Sequence, residues 1–91
     1  MAGYAPNHLK QRKLFQKRER ELLHAISARV SAEKLTDAVE NLRHAKLQTF
    51  KSHFAKESVL PARSYVPSRT AKLWQSLSLE QILAKYVSKK T

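Results

Sequence analysis

The segment "HLKQRKLFQKRERELLHAISARV", residues 8–30, carries two patterns at once. Phe15, Leu22, Ile26 and Val30 are separated by seven, four and four positions. On an α-helix they fall within roughly 80° of one another, and Leu23 widens the stripe. Lys10, Lys13, Lys17 and Arg20 follow at separations of three, four and three, and His24 comes four later. That row lies roughly opposite Phe15 on the same wheel. The spacing predicts one helical rod, about residues 8–30, with an apolar face and a cationic face. Arg12 departs from the division and projects toward the apolar side.

Working outward, "MAGYAPN" (1–7) reads as an irregular lead. Gly3 and Pro6 break regular structure, and Asn7 can cap the rod. On the other side, Ser31 is a candidate N-cap for a second helix, about 32–56, and Glu33 and Asp37 suit its positive end. Residues 30–32 hold no Gly or Pro, so one continuous rod is conceivable. A break at Ser31 is favoured because it lets two apolar faces meet in a hairpin. Leu35, Ala38, Val39, Leu42 and Ala45 form the first apolar stripe of the second helix. Leu47, Phe50 and Phe54 form another, rotated around the rod, which predicts more than one packing neighbour.

Residues 57–77 change character. Pro61 and Pro67 push the residues before them toward extended backbone. The expectation is an extended proline-containing strap carrying Leu60, Tyr65, Val66, Leu73 and Trp74. A short last helix, about 78–88, is announced by Ser78 and Gln81, the S-x-x-Q capping box. Leu79, Ile82, Leu83 and Tyr86 give it an apolar face. The fold class is therefore all-α. One small unit of 91 residues holds two long amphipathic helices, a strap and a short helix, and it is not expected to be an independent globule.

Composition narrows the partners. Eighteen Lys and Arg against seven Asp and Glu give a net charge of +11. Such a chain repels itself and binds polyanions. No cysteine is present to supply a disulfide or a thiolate ligand. No apolar run approaches the ~20 residues of a membrane span, so no transmembrane segment is expected. Residues 1–30 lack the continuous apolar region of a secretory signal. Their basic amphipathic character suits a mitochondrial import signal, although Glu19 and Glu21 weigh against one.

Chemistry is sparsely signalled. Ser31-Ala32-Glu33-Lys34 fits S-x-x-K, but a helix cap accounts for Ser31. His8, His24, His44 and His53 do not pair at metal-binding spacing, and Glu19 and Glu21 sit among bases whose repulsion they relieve. The only glycine is Gly3, so no phosphate-cradling glycine loop exists. Neither catalysis, cofactor, metal nor small-molecule substrate is expected.

Two surface features remain. The cations Lys10, Lys13, Lys17, Arg20, His24, Lys51, Arg63, Arg69 and Lys72 are the candidates for contact with RNA or another anionic surface. They interleave with rings in "FKSHFAK" (50–56) and "ARSYVPSRTAKLW" (62–74). Rings can stack on unpaired bases. Phe15, Phe50, Phe54, Tyr65, Trp74, Leu79, Ile82 and Tyr86 are the candidate anchors for neighbouring protein subunits. The combined expectation is a structural component of a large assembly. The foremost reading is an RNA-bound accessory subunit of a ribonucleoprotein such as a mitochondrial ribosome, located in the matrix. In composition the chain resembles accessory proteins of organellar ribosomes. Alternatives are a small basic protein inside ciliary microtubules, placed in the cytoplasm or cilium, and an accessory subunit of a mitochondrial membrane complex. A compact helix-turn-helix is disfavoured by the long 57–77 region.

Overall fold

A computed structural model describes residues 4–57 and 60–90. The fold is all-α: α1 spans Tyr4–Ala28, α2 Ala32–Glu57, α3 Arg69–Ser76 and α4 Leu79–Lys90, with a single 3₁₀ turn at Ala62–Ser64. No strand occurs among the described residues.

The hairpin of α1 and α2 is the frame. It turns where the sequence placed the break, but by a device the sequence did not announce. Arg29 adopts φ 52°, the left-handed region usually given to glycine. Its N–H donates to the Ile26 carbonyl and that of Val30 to the Ala25 carbonyl, each at 3.3 Å. This pair of bonds is a Schellman closure. Ser31 then caps α2, its hydroxyl accepting from the Lys34 N–H at 3.3 Å. At the far end of the hairpin the helices are tied by polar contacts. The Ser52 hydroxyl donates to the Thr49 carbonyl (2.9 Å), which leaves its oxygen to accept from Nδ1–H of buried His8 at 3.0 Å. The Thr49 hydroxyl donates to the Ala45 carbonyl at 2.8 Å and approaches the Gln11 carbonyl at 3.4 Å.

Two sequence expectations give way here. The lead is already helical from Tyr4, while residues 1–3 lie outside the described residues. Pro6 is tolerated because it falls in the first turn, where a backbone N–H has no intrahelical partner to lose. The strap is also shorter than expected. Within 57–77, positions 58 and 59 lie outside the described residues, and Arg69–Ser76 is helical. Ser68 starts α3, its hydroxyl accepting from the Ala71 N–H at 3.2 Å. Pro67 just ahead of this cap stops no helix that begins after it. Among the described residues of this region, backbone outside a helix or the 3₁₀ turn is limited to 60–61, 65–68 and 77.

α3 packs on α2 through fully buried Ala71, and α4 packs on both α1 and α2. The capping box at its start forms as its residues predict. The Ser78 N–H donates to Gln81 Oε1 (2.8 Å), and the Gln81 N–H donates to the Ser78 hydroxyl (3.1 Å). Arg43 reaches from α2 to the carbonyls of Leu77 (2.7 Å) and Gln75 (3.3 Å), placing a cation at the negative end of α3.

The core gathers Leu22, Val39, Leu42, Ile82 and Tyr86, with Phe15, Leu23, Ile26, Trp74 and Leu79 among the side chains packed on it. Leu22, Leu42 and Ile82 are 0 % exposed. Two of the expected partner anchors are thereby reassigned. Ile82 and Tyr86 are interior, and Leu79 packs on that interior, because α4 folds back onto the hairpin instead of waiting for an outside surface. Tyr86 donates its hydroxyl to Glu19 at 2.5 Å. Burial, and then this carboxylate, push the phenol pKa well above its ordinary value. Glu19 is thus a tertiary hydrogen-bond acceptor, whereas the sequence suggested a mere relief of charge repulsion.

The body remains elongated. It measures 44 × 25 × 22 Å with a radius of gyration of 14.6 Å, against about 12 Å for a compact domain of this length. No helix among the described residues is long and apolar enough to cross a membrane.

Candidate nucleic-acid interface

The cationic row sits where the periodicity placed it. Lys10, Lys13, Lys17, Arg20 and His24 are all exposed along α1, over about 21 Å of helix at 1.5 Å per residue. Packing of α1 through Leu22 and its neighbours forces this opposite face outward. The one ion pair among the described residues is Arg18 to Glu21, at 2.8 Å. Glu21 shows the local field. Its carboxyl is held below the usual carboxylate range, first by the Arg18 hydrogen bond and further by the charges of Arg18, Lys17 and Arg20.

The remaining candidate cations are exposed as well, in two groups. Arg69 and Lys72 lie on the first turn of α3. A cation at that position opposes the helix dipole. Lys51 and Arg63 belong to a different arrangement. Lys51 and Phe54 are three residues apart on α2 and share a face. Arg63 and Tyr65 arrive on the 3₁₀ turn, which the Ser64 N–H closes onto the Pro61 carbonyl at 2.9 Å. The four side chains line one cleft of about 400 Å³. Phe54 and Tyr65 meet edge to face, centroids 5.4 Å apart and planes at 72°. Each of these four residues was singled out from the sequence; the structure brings them together.

Three other rings serve differently. Phe15 and Trp74 pack edge to face at 6.5 Å. Lys46 places its ammonium 4.8 Å from the Phe15 centroid, 5.1 Å from Phe50 and 5.7 Å from Trp74. Lys85 approaches the same indole at 6.0 Å. Phe15, Phe50 and Trp74, the expected partner anchors, are half-exposed and surround a lysine of their own chain, because α3 carries the indole back over α2. Cation–π attraction of this kind is worth about 0.5–2 kcal/mol, depending on solvent exposure. Sequence reasoning did not single out Lys46 or Arg43. Their partners come from elements distant along the chain, and no spacing within α2 signals them.

Apolar surface stays uncovered on the strap and α3: Leu60 is 59 %, Val66 72 % and Leu73 52 % exposed. Among the described residues no group of three or more His, Asp or Glu could hold a metal ion. No known family model, curated protein or solved structure matches this chain.

Proposed function

We propose that this protein is a non-catalytic structural component of a ribonucleoprotein such as an organellar ribosome. It lies on RNA through its cationic surface and on neighbouring subunits through exposed apolar side chains. The observation that carries the reading is the exposed row Lys10, Lys13, Lys17 and Arg20, none of which makes an ion pair among the described residues. A row rising with the helix can follow a phosphate backbone, and each phosphate neutralised releases condensed counterions.

The surface supports the assembly part of the reading. The chain exposes 6632 Å², where a compact monomer of 10.5 kDa exposes roughly 5,400 Å². The excess and the uncovered Leu60, Val66 and Leu73 suit a body that completes its burial against neighbours.

The test is gentle purification of the tagged full chain from cells, with and without ribonuclease. The expected result is co-purification of RNA and protein subunits, released by the nuclease. For the purified chain, log affinity for single-stranded RNA should fall with log salt at a slope of about −3, from four phosphates at roughly −0.7 each. An association that survives nuclease and follows polymerised tubulin, or binding confined to anionic vesicles, overturns the proposal.

A further inference from the structure

We infer that the cleft between Lys51, Phe54, Arg63 and Tyr65 is a seat for one unpaired nucleotide of RNA. Its base stacks in the corner of the two rings and its phosphate lies against the two cations. The inference rests on the RNA reading above and names what one part of the surface recognises.

The chemistry of the lining points this way. Two cations and two aromatic rings form the cleft, and among the described residues no carboxylate lines it. These four side chains suit an occupant that is anionic and flat. Two rings meeting at 72° make a corner. A planar base lying on one ring meets the other with its edge, the favourable disposition for aromatic groups. The volume of about 400 Å³ falls in the ordinary range of small-ligand sites, about 300–1,000 Å³. Stacking of this kind accepts any base, because every base has a π-face. Duplex RNA cannot enter, since its bases are already stacked and paired.

The setting favours a polymer over a phosphorylated peptide. Contacts of His8 with Ser52 and Gln11 with Thr49 put the start of the cationic row at the same end of the hairpin as Lys51 and Phe54. A repeating polyanion that occupies the cleft can pass round that end of the hairpin to Lys10 and Lys13 on the outer face of α1. A single phosphotyrosine would fill the cleft and leave the row without a ligand.

The experiment measures binding of the full chain to labelled ten-nucleotide single strands and to a ten-base-pair RNA duplex. The variants are Tyr65→Ala, Tyr65→Phe and Lys13→Gln combined with Lys17→Gln. Tyr65→Ala should weaken single-strand binding about ten-fold and leave duplex binding within two-fold, while Tyr65→Phe retains the affinity of the parent. The double lysine variant should weaken both RNAs and flatten the salt dependence. In NMR titrations of the full chain, adenosine monophosphate should shift the Tyr65 and Phe54 ring resonances and inorganic phosphate should not. Equal losses on single strand and duplex in Tyr65→Ala overturn the inference but leave the proposed function standing. So do ring shifts reproduced by phosphate alone, or a phosphotyrosine peptide that binds more tightly than the mononucleotide. A parent chain that binds neither RNA removes both.

Discussion

The two ends of the α1–α2 hairpin are built on the same pair of helices and differ in almost every other respect. Near the turn, α4 closes over the hairpin and buries Leu22, Val39, Leu42, Ile82 and Tyr86 into a continuous apolar cluster. At the opposite end the third layer is an irregular segment with one 3₁₀ turn, and the helices are joined through His8, Ser52 and Thr49. There Phe54 and Tyr65 cover each other while remaining half-exposed at the edge of a cleft. The contrast separates two uses of aromatic and apolar groups. A helix with a full apolar face can complete a core. A proline-marked segment brings too few apolar groups to seal the surface it crosses, and it leaves rings and cations beside an open space. Stability should concentrate at the first end and recognition at the second.

The largest effect that tests this division is a pair of truncations. Leu42→Ala should destabilise by about 2–5 kcal/mol, as expected for a fully buried leucine. Phe54→Ala should cost less, about 1–2 kcal/mol, since the ring is already half in water. Urea denaturation of both variants measures the difference. Equal losses would mean that the cleft end carries as much of the fold as the core end.

Next comes the bond between Tyr86 and Glu19. Tyr86→Phe should cost about 1.5–3 kcal/mol near neutral pH, the value of a hydrogen bond to a charged group. The alkaline side gives the sign. The folded phenol has a raised pKa, while in the unfolded chain it titrates near 10.0. Stability from this group is intact below about pH 10. Above it, the unfolded state sheds a proton that the folded state keeps, so the parent loses up to ~1.4 kcal/mol per pH unit relative to Tyr86→Phe. Thermal melts of both proteins from pH 8 to 11 should converge; parallel curves would contradict the buried phenol.

Lys46→Met keeps most of the aliphatic stem among Phe15, Phe50 and Trp74 and removes the ammonium. A loss of about 0.5–1 kcal/mol is expected, together with a change in Trp74 fluorescence. The smallest effect runs the other way. Arg29→Gly should stabilise by about 0.5 kcal/mol, because glycine adopts the left-handed turn position without a Cβ penalty. A rise of a few degrees in melting temperature checks it.

What could be seen in advance was local. The break at Ser31 and the Ser78–Gln81 box are written in neighbouring residues that satisfy one another's backbone groups, and both form. The cationic row of α1 was legible for the same reason: residues three and four apart share a face whatever the helix packs on. α3 was missed because eight residues give little periodicity, and Pro61 and Pro67 dominate the composition around it. Pro6 misled because its cost depends on its position within a turn.

From the chain alone came the helical class, the cationic face and the residue types able to stack and to hold phosphate, since periodicity and charge need no knowledge of distant neighbours. Folding settled which partner each ring meets. Phe15 and Trp74 close on Lys46, Tyr86 goes to Glu19, and Phe54 and Tyr65 stay at an open cleft with Lys51 and Arg63. The difference lies in range. A helix face is fixed by residues within two turns, whereas a cage or a cleft requires side chains from three separate segments to arrive at one place, and no pattern along one segment records that meeting.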